Sequence, residues 1–288
     1  MPDLIYEGID LANGIDNVGQ YFLRDNGESL HLIPMVLAQE IEKSAIDCPF
    51  GTTSGFASLL AGEWPDQAPV DGFKSRRTEV CLRELTQQYQ IVQRWRNRTA
   101  EERRVHPREA FYNGVGHIQP TLAMRIVPEC LWYLVNRYGQ GIDAAERLGR
   151  LVEARRGAGI WIEAHPRMFL YSALERIYRH NPDAITLDVL FTAARYKDSD
   201  EYRRSIYNLL RNETAWMGQA VRNIYPEIIP EDMAASDHVF DGLLCALTAW
   251  SHSQGECLTW QEIEIPDAVV EVEGHILVLR QGRRNLHG

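Results

Sequence analysis

The first part of the chain alternates short apolar runs with turn signals, which is the pattern of a sheet. Three strands are predicted here, at 4–12, 19–25 and 29–36. The pair Asn26-Gly27 separates the last two and is a strong signal for a two-residue hairpin. We therefore expect an antiparallel meander, followed by a short helix near 37–43 and a fourth strand at 44–48.

Helical spacing of apolar residues replaces this pattern in the middle of the chain. Residues 52–80 are rich in Gly, Pro, Ser and Asp, as a long loop would be, and helices are predicted at 82–95 and within 121–157. Together these segments form a mainly helical insertion at about 52–157. We expect a single domain, 1–288, in which this insertion packs as a cap over one edge of the sheet.

A fifth strand at 159–164 is short and apolar enough to be a buried parallel strand. The remaining elements are predicted as helices after Pro166, at 186–196, at 200–224 and after Ser236, and as a strand pair at 269–272 and 276–279. An antiparallel meander, a helix and then a parallel strand is the opening order of an RNase H-like domain. The predicted fold class is therefore α/β, with an RNase H-like mixed sheet and a large helical insertion.

The composition bears on which partners the protein can bind and on where in the cell it is expected. The net charge of −10 argues against a broad phosphate-binding surface. No stretch of 18 or more apolar residues occurs, and the N-terminus lacks the layout of a signal peptide, so we expect a cytoplasmic protein without a membrane partner. The five cysteines are odd in number and scattered, which favours reduced thiols over a zinc site or disulfides.

The basic residues are almost all arginine. Of the thirty, only Lys43, Lys74 and Lys197 are lysines. Segment 94–108 is especially rich in arginine, and glutamates partly neutralise it. Two interpretations remain open, a solvated charged helix face or a cationic wall beside an active site.

Acidic residues follow the apolar runs of three predicted strands. Asp10, Asp47 and Glu163 each stand at such a strand end. Because open α/β sheets bind ligands at the carboxyl edge of their strands, we expect these acids to meet there. Glu163 has a competing interpretation, in which it pairs with an arginine and orients the loop at Pro166.

Asp237 and Asp241 are four residues apart and project from nearly the same side of one predicted helix. Alone, such a pair is most often a helix N-terminal charge. Together with Asp10 and Asp47 it predicts a site for Mg²⁺ or Mn²⁺, because clustered carboxylates repel one another unless a cation lies between them. Asp10 would bridge two ions, and the chemistry would be phosphodiester hydrolysis.

Two histidines, His165 and His238, adjoin these acids in sequence. Such a residue is more often structural, but either one can pass a proton to a leaving group. His165 is therefore added to the candidate catalytic residues Asp10, Asp47, Glu163, Asp237 and Asp241.

Five short elements carry a resemblance to a known family: residues 47–51, 76–83, 163–166, 237–249 and 273–276. The first, Asp-Cys-Pro-Phe-Gly, resembles the Ile-Asp-x-Pro-hydrophobic-Gly element of domain-of-unknown-function family 429, a family of predicted RNase H-like nucleases. The others are similar to that family's Arg-x-x-Asp-x-x-x-Arg, Glu-x-His-Pro, Asp-x-x-x-Asp-Ala and Glu-Gly-aromatic-Ile elements. Glu79 and Gly242 stand where the family has Asp and Ala.

This resemblance implies an RNase H-like fold and a metal-dependent nuclease that acts on DNA or RNA. By position, it implies that Arg76 and Arg83 hold a phosphate while Glu79 pairs with one of them. Two other functions remain open. One is a binding or regulatory module that kept the fold without catalysis, and the other is a phosphotransferase related to actin and the sugar kinases, for which Asn13-Gly14 is a poor phosphate loop.

Overall fold

A computed structural model describes residues 3–11, 18–33, 41–51, 53–62, 75–106 and 144–281 of the 288-residue chain. Several predicted features lie outside these ranges: the Asn13-Gly14 turn, most of the helix near 37–43, and residues 121–143 of the helical segment predicted within 121–157.

Six strands form one mixed sheet. They are β1 (Leu4–Asp10), β2 (Gly19–Asp25), β3 (Ser29–Ile33), β4 (Lys43–Asp47), β5 (Trp161–Glu163) and β6 (Asn223–Tyr225). Their order across the sheet is β5-β4-β1-β2-β3-β6. Strands β1, β2 and β3 pair antiparallel, whereas β4 runs parallel to β1, β5 parallel to β4, and β6 parallel to β3. The predicted meander and the two predicted parallel strands are thus confirmed, and β6 is an additional edge strand.

Helices pack on the sheet and connect β4, β5 and β6 in the sequence. They are α1 (Ser54–Leu60), α2 (Arg77–Gln87), α3 (Gln90–Arg96), α4 (Ala100–Val105), α5 (Ala144–Arg155), α6 (Pro166–His180), α7 (Leu187–Ala194), α8 (Asp200–Asn212), α9 (Glu231–Ala235), α10 (Asp237–Ser253) and α11 (Asp267–Glu273). Short 3₁₀ turns occupy Pro182–Ala184, Tyr196–Asp198 and Thr214–Met217.

The long helix α10 packs across β1, β2 and β4 and forms the centre of the main core. It carries a continuous buried run from Phe240 to Ser251. Helix α6 packs against α10. A smaller apolar cluster lies on the opposite side of the strands, where Ile9 and Ile46 meet Ala154 of α5. Both faces of the central strands are therefore buried.

The described helices of the predicted insertion are part of this body. Tyr89, Ile91 and Trp95 belong to the main core, where α3 packs against α6 and α7. Helix α5 packs against β5. These parts therefore contribute to the core of the domain instead of forming a separate cap.

Several predicted elements are wrong. The loop predicted at 52–80 contains α1, and the helix predicted at 82–95 is divided into α2 and α3. Within the part of the chain that the structure describes, the strand predicted at 276–279 makes only isolated bridges, from Ile276 to Glu163 and from Leu279 to Cys257. The helix predicted at 200–224 ends at Asn212, and Gly218 adopts a φ of 66°, which a right-handed helix cannot contain. The strand predicted at 269–272 lies inside the helix α11, which begins after Pro266 and ends at Gly274, where φ is 78°. The valines of that segment favour a strand locally, but packing against α1, α2 and α5 stabilises the helix.

No helix within the described ranges has the length and apolarity needed to cross a membrane. Four cysteines, Cys48, Cys81, Cys245 and Cys257, are free thiols. The fifth, Cys130, lies outside the described residues.

Candidate functional site

Two acids end neighbouring strands and lie side by side. Asp10 of β1 pairs in register with Asp47 of β4, and these strands are parallel. Side chains of directly paired residues project from the same face, which here is the face that α10 covers. Asp10 is buried and Asp47 remains partly exposed. The predicted meeting of these two acids at the sheet edge is confirmed.

A third acid reaches them because α10 approaches the sheet unusually closely. A Cβ atom on Gly8 would lie 1.8 Å from the carbonyl oxygen of Gly242, so only glycine fits there. Gly8 is two residues before Asp10 and therefore projects from the same face. Asp241 precedes Gly242 on α10 and is fully buried. We call Asp10, Asp47 and Asp241 the acid cluster.

Two consecutive residues of a 3₁₀ turn contact both oxygens of Asp241. The Tyr196 hydroxyl donates a hydrogen bond of 2.5 Å to Asp241 Oδ1. The Lys197 ammonium forms an ion pair with Asp241 Oδ2, while 38% of the lysine side chain stays exposed. Asp241 is thus held by one neutral and one cationic donor.

Burial and mutual repulsion shape the charge of the cluster. Burial, Asp10 and Asp241 raise the pKa of Asp47 well above its usual value. Burial raises the pKa of Asp241 to about 6, although Lys197 opposes the rise. Burial disfavours the ammonium of Lys197, but Asp241, Asp10 and Asp47 outweigh it and raise its pKa. One lysine therefore lowers the cost of three clustered carboxylates without removing it.

The turn that carries Lys197 is held by a buried arginine. Arg203 Nη1 donates to the carbonyl oxygens of Tyr196 and Lys197, at 3.0 and 3.1 Å. Its Nε donates to the carbonyl of Ala234 at 2.6 Å, at the end of α9 and just before α10. Arg203 is 5% exposed. It therefore fixes the backbone of the Lys197 turn relative to the start of the helix that carries Asp241.

The two candidate histidines differ in their contacts. His238 Nδ1 lies 2.8 Å from Asp10 Oδ2, and a third of the ring is exposed. His165 caps α6, where its Nδ1 accepts a weak hydrogen bond of 3.4 Å from the Met168 amide. Burial, with Arg167 and Lys197 nearby, lowers the pKa of His165 to about 4. His165 is therefore neutral near pH 7, and His238 is the better placed of the two for proton transfer.

Asp237 stands one helical turn before Asp241 but forms no hydrogen bond or ion pair with the acid cluster. It occupies the first turn of α10, and no hydrogen bond or ion pair links it to another described residue. The groups that act most strongly on the pKa of Asp47 are Asp10, Asp241, Lys197 and Glu163. The predicted role of Asp237 as a metal ligand gains no support from these contacts, and its position is that of a helix N-terminal charge.

Glu163 ends β5 beside β4, but it belongs to a second cluster. It pairs in register with Ile46, so its side chain projects from the face opposite to Asp47. Its carboxylate accepts two hydrogen bonds from the guanidinium of Arg76, at 2.5 and 2.9 Å. The Phe50 amide donates a third, at 3.1 Å. The structure thus favours the alternative in which Glu163 pairs with an arginine, over a place among metal ligands.

Arg76 also binds Glu79 and α11, and we call Arg76, Glu79, Glu163 and Glu273 the arginine cluster. Arg76 Nε donates to Glu79 at 2.8 Å, which confirms the predicted pairing of Glu79. Arg76 Nη1 donates to the Glu273 carbonyl at 2.9 Å. The Glu273 carboxylate accepts from the backbone amides of Ser54 and Arg77, at the starts of α1 and α2.

These contacts correct the predicted phosphate-binding role of Arg76. Its side chain is 2% exposed and donates to two carboxylates and a carbonyl, so it has no surface on which to receive a phosphate. Glu79 is equally buried. Arg83, on the same helix, is partly exposed, and its predicted role stays a prediction.

Sequence reasoning missed Tyr196, Lys197 and Arg167. None of them ends a strand or continues an acidic pattern, so their place depends on tertiary packing alone. The one available signal was the rarity of lysine in an arginine-rich chain. Arg167 lies in the first turn of α6, is partly exposed, and forms no hydrogen bond or ion pair with another described residue.

Across the ranges that the structure covers, no three His, Cys, Asp or Glu side chains form a group ready to hold a metal ion. Comparison with known proteins finds no family model, no curated protein and no solved structure that matches this chain.

Proposed function

We propose that the chain is a metal-dependent phosphodiesterase that cleaves DNA or RNA at the acid cluster. The observation that carries this proposal is the in-register pair Asp10 and Asp47, with Asp241 brought against them from α10. Buried like charges raise the free energy of the folded state, and a divalent cation is the usual partner that offsets this cost.

The sheet supports the RNase H-like part of the proposal. Its order β3-β2-β1-β4-β5, with an antiparallel meander followed by parallel strands, is the arrangement expected for such a domain, and β6 extends it at one edge. The resemblance to domain-of-unknown-function family 429 belongs to the same proposal. It adds the expectation of nuclease activity but no particular substrate.

Asp10 and Asp47 are the residues suited to hold a hard cation. Mg²⁺ is commonly bound by one or two carboxylates, together with waters and substrate phosphates, so a cage of three side chains is not needed. When bound, Mg²⁺ or Mn²⁺ supplies an activated water and stabilises the leaving oxygen. Carboxylate oxygens in a partly exposed, negatively charged corner fit this group by their chemistry.

Other side chains of the site take up the remaining tasks. The charges of Arg167 and Lys197 both act on His165, and Lys197 also contacts the acid cluster through Asp241, so these two side chains are the candidates to receive a phosphate of the substrate. They take the place that was predicted for Arg76. His238 holds Asp10 in position and, because its ring is partly exposed, can exchange a proton with solvent.

The test is cleavage of end-labelled single- and double-stranded DNA and RNA by the purified chain, with Mg²⁺, with Mn²⁺ and with EDTA. We expect cleavage with either metal and none with EDTA. Asp10→Asn and Asp47→Asn should reduce it to background, since each removes one of the two proposed ligands.

A matched control is Asp183→Asn, an equal change at an exposed aspartate between α6 and α7. It should cleave as the wild type does. Thermal melting should show that all variants are folded. Asp10→Asn protein that is folded and cleaves at the wild-type rate would contradict the proposal.

One observation favours a second candidate, a binding module without catalysis. The ammonium of Lys197 already contacts Asp241, so the cluster has an internal cation. Such a module would bind its ligand without any divalent ion. Binding of labelled single-stranded nucleic acid in EDTA, weakening steeply as salt rises and without turnover when Mg²⁺ is added, would support this candidate instead.

A further inference from the structure

The acid cluster contains a built-in cation. Lys197 pairs with Asp241 at the side of the cluster that α10 supplies, whereas Asp10 and Asp47 lie together at the strand ends. A site for two divalent ions would need Asp241 for the second ion. That carboxylate is already engaged on both oxygens, by Tyr196 and by Lys197.

The position of Lys197 is fixed by the fold. Arg203 binds the backbone carbonyls of Tyr196 and Lys197 and, through Ala234, the segment that leads into α10. The lysine backbone and Asp241 are therefore anchored to each other through one buried guanidinium. A lysine on a free loop would have no such constraint.

The net charge of the cluster also favours one divalent ion together with Lys197. Three carboxylates, one ammonium and one divalent ion sum to no net charge, whereas two divalent ions would leave the cluster positive even before Lys197 is counted. Glu163 does not alter this balance because Arg76 neutralises it on the other face of the sheet. Lysine suits the task, because its ammonium is a compact point charge and a guanidinium is broad and planar.

We propose that Lys197 stands in for a second metal ion, so that the acid cluster binds one divalent cation, at Asp10 and Asp47, and Lys197 supplies the other positive charge. This inference rests on the proposed function and specifies how the site is charged. In that role the ammonium lies next to the phosphate of a bound substrate.

The experiment is the stoichiometry of Mn²⁺ binding to the full-length chain, measured by titration calorimetry and by the loss of the free Mn²⁺ electron paramagnetic resonance signal. We expect one ion per wild-type chain. Lys197→Met should bind two, since Asp241 is then free to act as a ligand. Lys197→Arg, which keeps the charge, should bind no more than one.

Arg195→Gln is the matched control. Arg195 is a nearby cation that pairs with Asp198 at the surface, at 2.6 Å, and it should bind one ion as the wild type does. Two ions in the wild type, both lost in Asp10→Asn, would overturn the role of Lys197 but leave the metal site intact. A single ion in folded Lys197→Met would also overturn it.

Absence of Mn²⁺ binding in the wild type would instead remove the proposed function, and this inference with it. The two failures are therefore distinguishable. If Lys197→Met does not fold, the wild-type stoichiometry alone still decides, because two ions contradict the inference.

Discussion

The acid cluster and the arginine cluster lie at the carboxyl ends of neighbouring strands and differ in how their charges are satisfied. Glu163 accepts three hydrogen bonds, and the guanidinium of Arg76 donates to both Glu163 and Glu79. Both clusters have three carboxylates for one cation, but every carboxylate of the arginine cluster accepts hydrogen bonds from Arg76 or from backbone amides. In the acid cluster Lys197 pairs with Asp241, and no hydrogen bond from a described residue reaches Asp47. Carboxylates whose hydrogen bonds are satisfied hold the fold together, whereas clustered carboxylates that lack such partners can receive a ligand.

The largest expected effect comes from breaking the arginine cluster. Arg76→Met should lower the free energy of unfolding by about 3 to 5 kcal/mol, since it leaves the buried carboxylate of Glu163 without its partner. Urea unfolding followed by circular dichroism measures this loss. Adding Glu163→Gln should recover part of it. Arg83→Met, at a partly exposed position of the helix that begins after Arg76, should cost far less. An equal loss would show that the pairing is not the cause.

The acid cluster should make stability depend on pH. The pKa of Asp241 is raised to about 6 from the ordinary 3.8, so the folded state holds this proton more tightly than the unfolded state. The resulting stabilisation is complete below pH 3.8 and is lost as the pH rises through 6. Relative to Asp241→Asn, the metal-free wild type should lose about 2 to 3 kcal/mol between pH 4 and pH 7.

This pH dependence is tested by measuring the free energy of unfolding of the wild type and of Asp241→Asn in EDTA between pH 4 and pH 7. The difference between them should change with pH as the Asp241 carboxyl ionises. A constant difference would mean that Asp241 titrates normally in the folded protein.

A smaller effect is expected from Asp47→Asn. Burial and repulsion from Asp10 and Asp241 disfavour the Asp47 carboxylate, so replacing it with a neutral amide should stabilise the metal-free protein by about 1 kcal/mol at pH 7. Mg²⁺ should raise the melting temperature of the wild type but not that of this variant. Thermal melts with and without Mg²⁺ measure both effects, and a destabilised Asp47→Asn would contradict the repulsion.

The smallest effect is expected from Asp237→Asn. This acid lies in the first turn of α10 and contacts no member of the cluster, so Mg²⁺ should raise the melting temperature of the variant as much as that of the wild type. If Mg²⁺ no longer raised the melting temperature of the variant, Asp237 would be a metal ligand, as the spacing of the acids in the sequence predicted.

Local sequence signals predicted the parts of the fold that depend on neighbours in the chain. Asn26-Gly27 located the hairpin between β2 and β3, and the strand ends located Asp10 and Asp47. The face of the sheet from which Glu163 projects could not be predicted. It depends on the register between β4 and β5, and a shift of one residue would place the side chain on the other face.

The partners of the acids also depend on long-range packing. Lys197 reaches Asp241 across 44 positions of the sequence, and Arg76 reaches Glu163 across 87. No periodicity connects such residues. The helix α11 was mistaken for a strand for the opposite reason, since its valines gave a local signal that packing overrode.

The close approach at Gly8 makes the site recognisable in other chains. Gly8 and Asp10 on the strand are matched by Asp241 and Gly242 on the helix, so the sequence reads Gly-x-Asp at one end and Asp-Gly at the other. A sequence search for both motifs, separated by a variable number of residues, would select chains that can form the close helix–strand contact as well as chains that have the acids. Grafting the acids alone onto another sheet would leave the helix too far away, so any transplanted site has to carry Gly8 as well.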